Sequence, residues 1–247
     1  MIGAGISYYA QASGENYRSG NAKIYDGSFD YDEGAVWSRL NTNTPFSMLF
    51  DFVPQVGFAS GLLWSQDNMI ATSRAIYVQI LGGGAVRFTI SNGGSGSWLI
   101  IDTISTIALN AVTNIIITYD AGLIAAGAKI YFNGILQSTN VVGNTLSGTI
   151  AQASTTFSIG ELNGLGFSGS KFTGKIRQLE ILNRVASTGE ISSAGSSGSF
   201  QAASVPLSDY LLAVEFNKTG TANLTTRTGT PTYAITAFGG AAYTPYL

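Results

Sequence analysis

The 247-residue sequence contains no cysteine and no histidine. Without cysteine, the chain can form neither disulfide bonds nor thiolate metal sites. Without histidine, it lacks the commonest general base, the commonest zinc ligand and the usual base of a Ser-His-Asp triad. The two absences argue against zinc enzymes and against hydrolases that use a histidine base.

Charged residues are scarce as well, at 11% of the sequence, compared with about 25% in an average protein. The net charge is −2 and the Lys and Arg residues occur singly, so we expect no binding to nucleic acid. A weakly charged surface rich in small residues is typical of proteins that pack against neighbours, because surface charge keeps freely diffusing proteins apart.

The pattern of a signal peptide and that of a membrane span are also missing. The first ten residues have neither a basic start nor an apolar stretch, so we expect no signal peptide. The most apolar segment, residues 98–119, alternates like strands and is interrupted by Asp102, Asn110 and Asn114. We therefore expect no insertion into a membrane.

Helical periodicity is absent over any long stretch, and short alternating segments separated by Gly, Asn and Ser turns predict strands instead. The apolar run at residues 114–119 is typical of a central strand. Asn-Gly at residues 133–134 predicts a β-hairpin, and the three glycines at residues 82–84 predict another. At most one turn of helix fits, near residues 187–193.

The chain divides into two parts by composition. Residues 192–199 (SSAGSSGS) predict a flexible connector. We expect a β-sandwich at residues 1–195, led by an arm or strand of about 20 residues, and a connector with a short C-terminal β extension at residues 196–247. The extension is too short for a core of its own, so we expect it to add strands to the sandwich or to dock on a partner.

Three stretches resemble the laminin-G-like members of the concanavalin A-like lectin/glucanase superfamily. Residues 21–31 (NAKIYDGSFDY) resemble the family's early strand and turn, residues 111–137 its central block, and residues 157–191 its closing block, in the family's order. One departure is that the family's usual Trp-His pair is Thr113-Asn114 here. The resemblance implies an all-β fold, an antiparallel two-sheet jelly-roll sandwich, to which the C-terminal extension is added.

Glycosidases of this superfamily carry alternating carboxylates, and a retaining mechanism needs two of them about 5–5.5 Å apart. The nearest set here is Asp30, Asp32 and Glu33, which coincides with the family's structural turn. No alternating catalytic set occurs elsewhere. We therefore expect no enzymatic activity and assign no catalytic residue.

Sugar binding needs an aromatic face with a few polar groups around it. Trp64 and Trp98 are the candidate aromatic faces, and the alternative for both is the core, because aromatic residues dominate sandwich interiors. The resemblance also implies calcium at a loop rim, although no other cofactor is expected. Asp120 has the alternative role of holding a turn. The candidate carbohydrate-binding residues are Trp64, Asp67, Asn68, Trp98, Asn163 and Phe167, and the candidate calcium ligands are Asp120 and Glu161.

Two functional interpretations stay open. The first is a non-catalytic structural or attachment protein of a virus particle, such as a bacteriophage head or tail decoration or a fibre component. It would be located in the virion, with other virion subunits, further copies of itself and host glycans as partners. The second is a bacterial carbohydrate-binding module or lectin-like surface domain, located outside the cell or on its surface.

Overall fold

In the residues that it describes, the computed structural model shows seventeen strands in two antiparallel sheets. The predicted all-β sandwich is thereby confirmed. The described residues are 21–26, 31–34, 40–55, 60–67, 74–92, 96–150, 156–160, 171–215, 223–224, 235–238 and 243–245. The predicted leading arm, residues 1–20, lies outside them.

In chain order, the elements are β1 (Asn21–Asp26), β2 (Tyr31–Gly34), β3 (Phe46–Pro54), β4 (Gly61–Asp67), β5 (Arg74–Ile80), β6 (Ala85–Ser91), β7 (Trp98–Thr106), β8 (Thr113–Tyr119), β9 (Ala128–Phe132), β10 (Ile135–Leu136), β11 (Thr139–Asn144), β12 (Thr156–Ile159), β13 (Thr173–Leu182), helix α1 (Thr188–Ser197), β14 (Tyr210–Glu215), β15 (Asn223–Leu224), β16 (Ile235–Phe238) and β17 (Tyr243–Pro245). Short 3-10 turns lie at Ala125–Gly127 and Leu207–Asp209. Within the described residues, no helix is long and apolar enough to cross a membrane.

The first sheet, sheet A, has the order β10-β9-β8-β3-β13-β1-β17, and β14 with β15 is added beside β13. The second, sheet B, has the order β11-β7-β6-β5-β4-β12-β2-β16. Both predicted hairpins are present. Asn133 and Gly134 have φ values of 50° and 80° between β9 and β10, and two glycines of positive φ, Gly83 and Gly84, turn the chain between β5 and β6.

The main core lies between the two sheets, because alternate residues of each strand point inward. Phe46 of sheet A meets Phe88 of sheet B edge to face, with ring centroids 6.2 Å apart. Phe46 also packs on Tyr119 of the neighbouring strand β8. These rings are all fully buried. The contact between Phe46 and Phe88 joins the two sheets, so these aromatic residues stabilise the packing of one sheet on the other.

A second apolar cluster covers the outer face of sheet A. Helix α1 and the chain that follows it, residues 187–209, lie across this face, and we call them the covering segment. Leu49, Ile116 and Leu182 of the sheet pack against Ile191 and Phe200 of the segment, and all five are buried. The outer face of sheet A is therefore closed to solvent where the segment lies.

A β-bulge in β13 places two polar side chains on that closed face. Ile176 pairs with Phe52 and Gln178 pairs with Asp51, so Arg177 is the extra residue between them. An extra residue shifts the alternation by one position. As a result, both Arg177 and Gln178 point toward the covering segment, while the next residue, Leu179, returns to the main core.

Buried charges and amides bind the covering segment to sheet A. Arg177 Nε donates to Asp51 Oδ2 at 2.6 Å, and Arg177 Nη2 donates to the Gly198 carbonyl at 3.1 Å. Glu180 accepts from Ser199 Oγ at 2.8 Å and from the backbone N–H of Phe200. Since the carboxylates and the guanidinium are almost wholly buried, these bonds offset the cost of removing charge from water.

Asn114 binds the end of helix α1. Its Nδ2 donates to the Gly195 carbonyl at 2.7 Å and to the Ala194 carbonyl at 3.3 Å. The last carbonyls of a helix lack the usual partner one turn further on, and this amide is a partner for the Gly195 carbonyl. The Ala194 carbonyl also accepts from the Gly198 N–H at 2.7 Å. Asn114, which stands where the family usually has histidine, thus has a structural role here.

The predicted flexible connector is mostly helix. Ser187 and Glu190 form a capping box, in which each side chain accepts from the other residue's backbone N–H, and Gly198 ends the helix with a φ of 79°. Arg184 donates to Glu190 and to Asp209, and its hydrogen bonds hold the pKa of Glu190 at about 2, well below its usual range. The expectation of one turn at most was wrong, and the boundary predicted at residues 195/196 lies inside α1.

The C-terminal extension adds strands to both sheets. Strand β14 pairs with residues 178–182 of β13, β17 pairs with β1, and β16 pairs with β2. Leu212 and Val214 of β14 belong to the main core. Of the two alternatives left open by the sequence, the added strands are the one that the structure shows.

The buried ion pair gives a first prediction. Arg177→Met should lower the free energy of unfolding by about 3–5 kcal/mol, because it removes the charged partner of the buried Asp51 carboxylate. The matched change Arg87→Met acts on the ion pair Arg87–Asp102, whose side chains are 28% and 16% exposed, and should cost about 1 kcal/mol or less. Urea denaturation measures both variants, and equal losses would contradict the role given to the buried pair.

The added strands give a second prediction. Deleting residues 201–247 should unfold the chain or lower its melting temperature sharply, because Tyr210, Leu212 and Val214 are buried. The control deletion, residues 216–247, keeps β14 and should lose less. Thermal melting followed by circular dichroism compares the two, and a 201–247 deletion as stable as the full chain would show that the extension is not part of the sandwich.

Candidate functional site

The outer faces of the two sheets differ in what they expose. On sheet A, the outward residues beneath the covering segment, such as Asp51, Asn114 and Glu180, are fully buried. On sheet B, outward residues of β5, β6 and β7 are partly exposed. We call this surface the open face, and its partly exposed residues are Tyr77, Gln79, Arg87, Trp98, Ile100 and Asp102. Thr89 lies on the same face of the sheet but is buried.

The strand register sets the arrangement of the open face. On β7, Leu99 and Ile101 point into the main core, so Trp98, Ile100 and Asp102 point outward along one line. Pairing then forms two rows across the strands. Asp102 lies beside Arg87 and then Gln79, and Ile100 lies beside Thr89 and then Tyr77.

Trp98 provides an aromatic surface at one end of the open face, with 42% of the residue exposed. Its ring occupies the space above Gly143 of β11, where an added Cβ would lie 2.7 Å from the indole Nε1. Thr145 holds the backbone of Trp98 through two hydrogen bonds. The Thr145 N–H donates to the Trp98 carbonyl at 2.8 Å, and Thr145 Oγ1 accepts from the Trp98 N–H at 3.3 Å. The ring is therefore exposed but held in place.

Hydroxyl and amide groups surround the Trp98 end. Asn92 Nδ2 donates to the Ser147 carbonyl at 2.5 Å, and the Ser147 N–H donates to Ser97 Oγ at 3.0 Å. Ser147 is exposed, and Asn92 and Ser97 are half-buried. Groups of this kind hydrogen-bond readily to hydroxyl-rich ligands.

Arg87 and Asp102 form the charged part of the open face. Arg87 Nε donates to Asp102 Oδ1 and Arg87 Nη2 donates to Asp102 Oδ2, both at 2.8 Å. This two-bond pairing raises the pKa of Arg87 above its ordinary value. Gln79 lies next to Arg87 and donates from Nε2 to Ser60 Oγ at 2.9 Å. The open face thus combines an exposed indole with a row of hydrogen-bonding groups.

Trp64 corrects one prediction for the carbohydrate site. It is fully buried in the main core and stacks on Phe157, with ring centroids 4.7 Å apart and an angle of 16° between the ring planes. A buried ring offers no face to a sugar, so the core alternative holds for Trp64, whereas Trp98 is exposed. Asp67 ends strand β4, and Asn68, Asn163 and Phe167 lie outside the described residues.

Asp120 occupies a turn. Its Oδ1 accepts from the Gly122 N–H at 2.8 Å and its N–H donates to the Gly127 carbonyl at 3.1 Å, which is the alternative role expected from the sequence. The other candidate ligand, Glu161, lies outside the described residues, and within the described part no three acidic side chains come together. The calcium site stays a prediction.

Sequence reasoning missed five residues of the open face, namely Tyr77, Gln79, Arg87, Ile100 and Asp102. The signal was present, since Trp98 and Asp102 are separated by an even number of positions in one alternating strand. Residues with that spacing share a face. The position of Arg87 beside Asp102, however, depends on the pairing register between β6 and β7.

A groove of about 570 Å³ lies elsewhere, where the chain passes from β10 in sheet A to β11 in sheet B. Leu136, Val141 and Lys129 are among its lining residues. Both Leu136 and Val141 are more than half exposed. The groove is separate from the open face and has a more aliphatic lining.

Comparisons with known proteins agree with this architecture. The chain is similar to a protein of Bacteroides ovatus ATCC 8483 named for a suspected role in carbohydrate binding (12% identity, TM-score 0.63), covering 92% of this chain and 60% of the other. It is similar to the heptameric SAP-like pentraxin of Limulus polyphemus (16% identity, TM-score 0.53), with 74% of this chain and 84% of the other covered. It is similar to the CBM40 of the Ruminococcus gnavus IT-sialidase, solved with α2,3-sialyllactose (14% identity, TM-score 0.53). That match covers 71% of this chain and 96% of the other.

At such identities the likenesses show a shared fold, and none of them supports the interpretation as a virus-particle protein. No curated protein matches the sequence. The model of one family, Laminin_G_3, matches residues 19–192, which is most of the chain. The chain therefore belongs to this laminin-G-like family of the concanavalin A-like lectin/glucanases superfamily.

Proposed function

We propose that the chain is a non-catalytic, lectin-like domain that binds glycans through the open face of sheet B. The observation that carries the proposal is the line formed on β7 by the exposed Trp98 and by Asp102, which is paired with Arg87. Sugars present apolar C–H faces that pack on aromatic rings and hydroxyls that need both donors and acceptors. The open face supplies both kinds of contact, as small-molecule sites do.

The fold supports the same proposal by analogy. Two of the structures that share the fold are named for carbohydrate binding, one of them solved with a bound oligosaccharide. A fold does not determine a function, so the residues of the open face are the main support for glycan binding. A domain that meets glycans would act outside the cell or at a cell surface, and this location is part of the proposal.

The chemistry of the described side chains supports the non-catalytic part of the proposal. The chain has no histidine, and the carboxylate of the open face, Asp102, is bound by Arg87 through two hydrogen bonds. In most families of glycosidases, hydrolysis uses a second carboxylate as acid, base or nucleophile. Strands β5, β6 and β7, which form the open face, and β11, which pairs with β7, contain no other acidic residue.

A third prediction tests the aromatic contact. Trp98→Ala should weaken binding of the preferred glycan at least about tenfold, or roughly 1.4 kcal/mol, because the indole face is lost. Ile135→Ala is the matched control, since Ile135 is 69% exposed but lies on sheet A, and it should leave the affinity unchanged. Isothermal titration with a glycan selected on an array measures both variants.

A substitution at Gly143 tests the same contact without changing Trp98 itself. Gly143→Val places a side chain where the indole lies, so it should displace the ring and weaken binding although Trp98 is still present. Tryptophan fluorescence reports the displacement. Unchanged affinity in both Trp98→Ala and Gly143→Val would remove the open face from the proposed function.

A further inference from the structure

The charges of the open face cancel one another. Among the residues that form the open face, Arg87 is the one basic residue and Asp102 is the one acidic residue. The two side chains face each other across β6 and β7 and share two hydrogen bonds of 2.8 Å. Guanidinium and carboxylate match in shape in such a bidentate pair, so the pair presents little net charge to a ligand.

This pairing bears on which sugars can bind. An acidic sugar, such as one ending in sialic acid, carries a carboxylate that would seek the Arg87 guanidinium. That carboxylate would have to displace Asp102, or else lie close to it and be repelled. A neutral sugar has no such conflict, because its hydroxyls can accept from the remaining guanidinium nitrogen, Nη1, and donate to the carboxylate oxygens.

The length of the open face bears on the size of the ligand. Trp98 and Asp102 are four positions apart on β7, a distance of about 13 Å at the usual rise of a strand. Ile100 lies between them and is half-buried. One sugar ring is too short to stack on the indole and also reach the Arg87–Asp102 pair, whereas a short chain of sugars can contact both.

From these observations we infer that the open face selects a segment of a neutral oligosaccharide, several sugar units long and lying along β7, over a glycan with an acidic end. The inference depends on the proposed function, because it specifies the ligand class of the same site. It also distinguishes this chain from the structurally similar CBM40, which was solved with a sialylated ligand.

The experiment compares matched ligands on the full chain. Neutral hexasaccharides (cello-, manno- and xylohexaose) are titrated against their own monosaccharides, and 3′-sialyllactose is titrated against lactose. The wild-type chain should bind at least one hexasaccharide more than about tenfold tighter than its monosaccharide. It should bind sialyllactose no tighter than lactose.

Variants of the charged pair test the cause. Asp102→Asn frees the Arg87 guanidinium and should make sialyllactose bind at least about fivefold tighter than lactose. The double variant Arg87→Gln, Asp102→Asn carries no charge at this position and should show no such preference. Thermal melting checks that both variants fold. The comparison of lactose with sialyllactose on the wild-type chain does not depend on either variant.

The possible outcomes separate the inference from the proposed function. If the wild-type chain prefers sialyllactose to lactose, and Trp98→Ala abolishes this binding, the inference is wrong and the glycan-binding function stands. A hexasaccharide that binds no tighter than its monosaccharide overturns the length argument. If a broad array of neutral and acidic glycans shows no binding to the folded chain, the proposed function and the inference both fail.

Discussion

The ion pair between Arg177 and Asp51 is buried against the outer face of sheet A. A buried ion pair requires further hydrogen-bond partners, and the covering segment supplies them. The Gly198 carbonyl accepts from Arg177, and Gly198 leaves room for the contact, since a Cβ there would lie 2.7 Å from Arg177 Nη2. Glu180 meanwhile accepts from Ser199 and Phe200. Because buried charges are stable only with such partners, the segment is fixed in place and closes this face. Sheet B is left with the exposed aromatic and polar surface.

Much of the fold could be predicted from the sequence, because the strands follow local alternation and the turn at Asn133-Gly134 follows from the φ preferences of its residues. The length of helix α1 was missed, although Ser187 and Glu190 form a recognisable capping pattern. The SSAGSSGS composition argued for a connector, but the buried contacts of Asn114 and Glu180 with this segment are long-range. No local pattern reports contacts of that kind.

The site was predictable only in part. Trp64 and Trp98 both adjoin strand-like apolar residues, so the sequence alone does not say which one is buried. Trp64 points inward because β4 has a bulge between Leu62 and Trp64, and a bulge changes which residues face the core. Trp98 points outward because it begins β7 one position before the buried Leu99. Register, rather than residue type, decides which tryptophan meets solvent.

A crystal structure of the chain with a neutral hexasaccharide bound would show whether a glycan binds on the open face. We expect the sugar chain to lie along β7, with one ring stacked on Trp98 and hydroxyls bonded to Arg87 and Asp102. A sugar chain found in the groove between β10 and β11, or anywhere else with the open face empty, would contradict this expectation.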